Sequence, residues 1–494
     1  PNNLISLAPL SWWEARYYGR SGPNWSAAYD NLFRHSKKQG IYDPRNLRGC
    51  GTWFDEGRVV QHNGDHLIVD GEHIEINDFK TRYIYNASYP IEVINAEPVT
   101  NAEAAALLSL CRKPTWEKPI SGTLLAGWCV IAPVCGALSW RPHIWITGAS
   151  GTGKTWITDH ILKPLAGSLA LNVQSNTTEA GIRQMLGINA FPVIFDEAEG
   201  EDIHARKRLQ SVMELMRQAS SETGAPIIKG GQSGHAIEFR VRSCFALSSI
   251  GVNITQKADA SRVTVLSLIK PDSYISQDLF DEIRADVTVL INPQFTARLR
   301  SRTLRLIPTI LSNADAFSRV VAERFSDQRI GDQFGALLAG AYSLVSNTTI
   351  NNSDAAKFID KQDWTEQSAI EELPDEMRCL DRILEHVITY TNSNNIRSEK
   401  GIGEILNNYF NDKTMSLEAE NALERIGIRV KDGFLVISDS HKGIKKILFN
   451  EPWEQNWGRI LKRLPNSEAK TVVRFNGKGQ RATQILLSDL FKNE

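Results

Sequence analysis

The sequence has almost no net charge: 56 Lys and Arg stand against 57 Asp and Glu over 494 residues. A chain without an overall field gains no general attraction to nucleic acid, so any such binding must come from local patches. Cysteine is scarce. The six present (Cys50, Cys111, Cys129, Cys135, Cys244, Cys379) form no CxxC pair and have no clustered His partner, which argues against a zinc site and makes a reduced cytoplasmic setting the expectation. Neither a signal peptide nor a paired-carboxylate polymerase centre is readable. The chain opens at Pro1. Long apolar runs are also missing, with one exception at residues 122–140. That run holds Pro133 and leads into Arg141 and Pro142, so it is expected as a buried helix and not as a membrane span. Length and a 42% apolar share predict about three soluble globular domains.

Against this plain background one stretch stands out. Residues 143–156 read HIWITGASGTGKTW: a short apolar strand, a glycine loop, then Lys-Thr and an amphipathic helix pattern (Trp156, Ile157, Ile161, Leu162, Leu165). Gly148, Ala149, Ser150, Gly151, Thr152 and Gly153 would turn the chain so that backbone N–H groups face phosphate oxygens. Lys154 would add charge at the β and γ phosphates, Thr155 a hydroxyl for Mg²⁺, and the helix N-terminus its dipole. A P-loop binding ATP is the expectation. Residues 190–199, AFPVIFDEAE, then supply an apolar strand ending in two carboxylates. In that arrangement Asp196 holds Mg²⁺ and Glu197 polarises the attacking water, which makes hydrolysis the expected chemistry.

Downstream of these carboxylates, the order of elements is informative. A helical pattern covers residues 203–221, and residues 223–239, TGAPIIKGGQSGHAIEF, read as a hairpin with a polar basic tip. An apolar strand ending in Ser248 and Ser249 comes next, and then Arg262 just before another β run. This order resembles the superfamily 3 helicases, a branch of the AAA+ ATPases found in viral, phage and plasmid replication proteins. The resemblance covers residues 141–271. It implies that the hairpin at residues 227–239 grips DNA through Lys229 and His235, that the strand end at residues 247–250 is the sensor, through Ser249 or else Asn253, that Arg262 reaches the ATP of a neighbouring subunit, and that any primase lies upstream of Pro1 or in trans. The family usually has Asn where Ser249 stands, and Asn253 lies close by. A trans-acting arginine implies a homo-oligomeric ring, a hexamer in this family. Taken residue by residue, Arg262 on a strand edge and Lys229 in a turn are otherwise ordinary solvated charges, and His235 carries the least signal.

The flanks complete the organisation. Residues 1–114 read as a small α+β domain, with a helix around residues 25–36 and short strands turning at Asn63 and Gly64. Its His66, Asp70 and His73 fit a wet hairpin face better than a metal site, and its Trp12, Trp13, Tyr17 and Tyr18 fit a core or subunit contact better than base stacking. Residues 115–345 are expected as the ATPase core with its lid, where Arg298, Arg300, Arg302 and Arg305 read as a solvated helix face. Residues 346–376 read as a polar linker. Residues 377–494, helical at 377–391 and 401–410 and ending in strand, turn, strand, read as winged-helix-like. Eleven Lys or Arg against five Asp or Glu at residues 441–494 put Lys478 and Arg481 where a wing meets phosphates. The expected fold class is thus α/β, a P-loop AAA+ core with a parallel sheet between two flanking domains. The expected function is an ATP-dependent DNA helicase or translocase of phage or prophage replication; the alternative is an AAA+ initiator or helicase loader that binds DNA without unwinding it.

Overall fold

The computed structural model describes the chain apart from residues 1, 6, 40–42, 92, 94, 95, 175, 199–202, 231–235, 253–258, 260, 271–275, 363–374, 392–396, 450, 452, 476 and 492–494. It divides into two compact units, Pro1–Thr365 and Glu366–Glu494.

In the first unit, helix α1 (Trp25–Gln39) precedes an antiparallel meander of β1 (Gly51–Asp55), β2 (Arg58–His62), β3 (His66–Val69) and β4 (Glu72–Glu75). Two of its turns are Glu56-Gly57 and Asp70-Gly71, with positive φ at both residues of each. That is the two-residue geometry whose twist matches antiparallel strands. The expected Asn63-Gly64 turn joins β2 to β3. His66 and His73 stack with ring centroids 4.6 Å apart, and no metal-binding cluster occurs among the described residues.

The meander is not a free-standing domain. Gly51 bridges Ala190 in parallel, the Cys50 N–H is held by Asn189 at 2.8 Å, and Trp53, Val60 and Leu67 share one core with the neighbouring helices and sheet. Those helices are α2 (Asn101–Arg112), closed at its start by a Thr100–Glu103 capping box, and α3 (Ile120–Ile131), every residue of which is buried. The stretch Ile120–Ala137 is long and apolar enough to cross a membrane, yet 94% of it is buried inside the protein. It is a core helix, as its sequence suggests.

Five parallel strands come next: β5 (His143–Gly148), β6 (Leu171–Gln174), β7 (Val193–Asp196), β10 (Phe245–Ser249) and β11 (Val263–Leu268), in spatial order β11-β5-β10-β7-β6. Between β7 and β10 the chain forms α6 (Ile203–Ala219) and the hairpin β8 (Ile227–Gly230) and β9 (Ala236–Phe239); helix α4 (Lys154–Ile157) comes after β5, and α5 (Glu179–Leu186) after β6. β5 and β10 are buried along nearly their whole length, which only strands covered on both faces allow. Then come α7 (Ser276–Leu290), the 33-residue α8 (Pro293–Phe325), α9 (Gln328–Tyr342) and α10 (Asn352–Asp360). α9 crosses α3 at a point where both carry glycine: a Cβ on Gly127 would lie 1.9 Å from Leu337 O, and one on Gly340 2.5 Å from Gly127 O.

Two expectations are corrected in this unit. Of the four α8 arginines expected as a solvated face, Arg305 is exposed but Arg298, Arg300 and Arg302 are not. Arg302 is buried and donates to Ser343 O, Val99 O and Asn101, while Arg298 pairs with Glu103 at 2.6 Å. Arg298 and Arg302 clamp α8 to the start of α2 and the residue just before its cap. The polar stretch at residues 346–376 also contains α10, which buries Ala355 and Ile359, and the boundary between the compact units falls within it.

The second unit holds α11 (Asp375–Leu384), a hairpin of β12 (Val387–Thr391) and β13 (Arg397–Gly401), α12 (Ile402–Asp412), α13 (Leu417–Ile426), and the sheet strands β14 (Ile428–Lys431), β15 (Phe434–Ser438), β16 (Glu468–Phe475) and β17 (Lys478–Leu486). Residues 387–391, expected as helix, are instead a strand. They read VITYT, and β-branched side chains favour that conformation. The expected terminal ribbon is present as β16 and β17, but within a four-stranded antiparallel sheet of order β14-β15-β17-β16.

Candidate functional site

The loop after β5 needs glycine at three points. Gly148 has φ +149, and a Cβ there would stand 2.4 Å from Leu268 O on β11. Gly151 and Gly153 adopt φ +80 and +95, a region that side chains disfavour. The Thr152 hydroxyl donates to Ala149 O at 2.9 Å and tightens the curve. Helix α4 begins directly after Gly153 and runs on through Ala166, fixed underneath by the buried Ile157, Ile161, Leu162 and Leu165. Its opening N–H groups have no partners one turn earlier in a helix, so they present donors at the loop. The Lys154 side chain lies over the loop, its Nζ donating to Gly148 O at 2.7 Å and Ala149 O at 3.0 Å.

The C-terminal ends of β7 and β10 lie beside this loop because the strands are parallel and β10 pairs with both β5 and β7. Asp196 is the last residue of β7 and is half-buried; Glu197 is exposed. Glu197 has φ +54, a strained conformation for a non-glycine residue and one that clusters at functional sites. Its N–H donates to Asp196 Oδ1 at 3.0 Å, and the next N–H, of Ala198, donates to Ser248 O at 2.8 Å. A cleft of 720 Å³ results, lined by Ser150, Gly151, Gly153, Lys154 and Thr155 from the loop and by Asp196, Glu197, Ser248 and Ser249 from the neighbouring strands. Trp156, Asn176 and Arg208 complete much of its wall. A second hollow of 370 Å³, formed by Trp156, His160, Phe280, Arg284, Val287 and Thr288, shares Trp156 with the cleft. The Trp156 ring lies 5.3 Å from Phe280 and 5.0 Å from His160.

The structure thus brings together the loop residues, Lys154, Thr155, Asp196, Glu197 and Ser249. It alters the reading of Ser249, whose hydroxyl accepts from Trp145 Nε1 at 2.7 Å and donates to Gly251 O at 2.7 Å. Its single proton is therefore already in use. Ser248 also lines the cleft, and its side chain makes no hydrogen bond among the described residues. Asn253 lies outside the described residues. Arg208 and Asn176 lie in no sequence motif, and Trp156 reads in the sequence only as part of the helix after the glycine loop, so none of the three is legible there as a cleft residue.

Arg262 is elsewhere. Val263 pairs with His143 and Leu268 with Gly148, so Arg262 sits at the sheet edge opposite the glycine loop, about 20 Å away along six residues of strand. Burial lowers its pKa, with further lowering from Arg329 and Arg217 and opposition from Asp259 and Asp327. Asp259 is bound by Arg217 at 2.7 Å, so this edge carries three guanidinium groups. Beneath it, His143 is fully buried. Its Nε2–H donates to Met216 O at 2.8 Å and its Nδ1 accepts from the Phe245 N–H at 3.1 Å, while burial pushes its pKa down to about 3. The imidazole is a neutral strut.

The hairpin β8–β9 forms as expected, with Lys229 exposed and opposite Ile237; His235 lies outside the described residues. Arg183 packs over Phe239 at 4.2 Å. At the hairpin base, Glu222 lies between Arg141 and Arg242. Burial alone would raise its carboxyl, but the two guanidinium groups hold it below the usual range. In the second unit, Lys478 opens β17 opposite Phe475 and Arg481 lies three residues on, both exposed.

No family model and no curated protein matches the chain. Among solved structures, an SCCmec type IV Cch described as an active helicase is similar over 94% of this chain and 83% of its own, with 14% identity and a TM-score of 0.50. The NrS-1 C-terminal region matches 87% of this chain and 95% of its own at 13% identity and a TM-score of 0.32, and a JCV helicase matches 47% and 60% at 14% identity and a TM-score of 0.26. At such identities the likeness is one of fold: this chain shares a mixed α/β architecture with a solved helicase.

Proposed function

We propose that the protein is an ATP-dependent DNA helicase or translocase of the superfamily 3 AAA+ type, serving phage or prophage replication. The observation that carries this reading is the convergence of the glycine loop, Lys154, Thr155, Asp196 and Glu197 on one cleft at the carboxyl edge of a parallel sheet, where α/β folds bind ligands. Backbone amides and Lys154 take the phosphates. Thr155 and Asp196 offer the hard oxygen donors that suit Mg²⁺, which supplies charge neutralisation on the phosphates when bound. Glu197 orients water and accepts its proton. The aromatic hollow that shares Trp156 with the cleft supports a nucleotide ligand, because a base stacks on such rings.

Arg262 cannot serve its own cleft from the opposite sheet edge, so it acts in the ATP site of a neighbour, within a homo-oligomeric ring. Lys229 on the hairpin contacts DNA, and the winged-helix-like second unit adds phosphate contacts through Lys478 and Arg481. Strand displacement on forked DNA, with and without ATP, tests the proposal. The wild type separates strands only with ATP and Lys154→Ala does not. ATP hydrolysis without strand separation would favour an initiator or loader instead.

A further inference from the structure

Arg208 belongs to α6, the helix after the strand that ends in Asp196. Leu209, Val212, Met213 and Met216 turn one face of α6 into a core, while Ala205 and Arg208, one turn apart, line the cleft. The Arg208 Nε is buried and has no hydrogen-bond partner among the described residues. A guanidinium cannot escape this by losing its proton, because it stays charged at any ordinary pH. A guanidinium that lines a polar cleft while its Nε lacks a partner is under-compensated, and an anionic acceptor in the cleft would supply what is missing.

The charges of the cleft indicate which anion. Lys154 and Arg208 balance Asp196 and Glu197, and Lys154 already donates to two loop carbonyls. With Asp196 committed to Mg²⁺ and Lys154 shared with the loop carbonyls, Arg208 is the further cation among the cleft's described lining residues. Arg208 lines the same cleft as Asp196 and Glu197, the two carboxylates proposed above to act at the phosphate to be cleaved. We infer that Arg208 binds the terminal phosphate of the nucleotide within its own chain and makes the cleft prefer a nucleoside triphosphate over a diphosphate. The inference rests on the nucleotide reading proposed above.

Equilibrium binding of fluorescent ATP and ADP analogues, with Mg²⁺ and the full chain, tests it in wild type, Lys154→Ala, Arg208→Ala and Arg208→Lys. Arg208→Ala is expected to weaken ATP about tenfold, which is about 1.4 kcal/mol, and to leave ADP within twofold. Unchanged ADP affinity also shows that the variant is folded. Arg208→Lys recovers part of the loss, since it keeps the charge but not the planar fork. Equal losses for both nucleotides, or none, overturn the assignment of Arg208 while the nucleotide site stands. A wild type that binds neither nucleotide overturns both.

Discussion

Changing Arg262 to Ala separates an intramolecular role from an intermolecular one. Six strand residues put this side chain about 20 Å from its own glycine loop, so a contribution to its own site is excluded by distance. If it completes a neighbour's site, its loss should lower kcat by about 10³-fold or more, the effect of removing a charge-stabilising arginine in phosphoryl transfer. Nucleotide affinity should change little. Mixing supplies the decisive measurement. Lys154→Ala subunits keep the arginine but lack a competent loop, and Arg262→Ala subunits keep the loop but lack the arginine. Combined in equal amounts before assembly, they place an intact arginine against an intact loop at roughly one interface in four. Steady-state phosphate release should then return to that order of the wild-type rate, although each variant alone is inactive. A chain carrying both changes should restore nothing. Full activity in Arg262→Ala alone, or no recovery on mixing, would refute the reasoning.

Three further outcomes are expected. Lys229→Ala should keep basal ATP hydrolysis and lose its stimulation by DNA; an unchanged response to DNA removes the hairpin assignment. For His143 the unfolded chain takes up a proton near pH 6.5 and the folded chain only near 3, so its stabilising contribution is complete above the unfolded value and is lost as pH falls. Between pH 7.5 and 5.5 that loss is about 1.4 kcal/mol, measured by urea unfolding of the wild type against His143→Asn; equal pH slopes would contradict it. Gly340→Ala should destabilise by about 1–3 kcal/mol through the α3–α9 crossing, seen as a lower Tm, and a neutral effect would mean that the helices separate freely.

The parts legible in the sequence share one property: their signal is local. The glycine loop, the Asp196-Glu197 strand end and the paired strands Ile227–Gly230 and Ala236–Phe239 each lie within a short window, and the structure has a loop, a strand end and a strand pair at those places. The features that escape a sequence reading depend on partners far along the chain. Arg302 looks solvated until Val99 and Ser343 are brought to it. Ser249 looks available until Trp145, on the adjacent strand, takes its hydroxyl. Arg208 sits on an amphipathic helix where one more arginine carries no signal. Residues 387–391 differ for another reason, since their β-branched composition already favours a strand.

The join between Gly51 and Ala190 has a consequence for how this protein changes over time. Asn189 and Ala190 lie just upstream of the strand that ends in Asp196, and Arg242, just upstream of the adjacent β10, leans over Trp53 of the meander at 5.5 Å. Swapping the first hundred residues for those of another protein would therefore remove one wall of the core beneath the parallel sheet. Substitutions on the two sides of this join are coupled, Gly51 with Ala190 and Cys50 with Asn189, so neither side can change freely without the other.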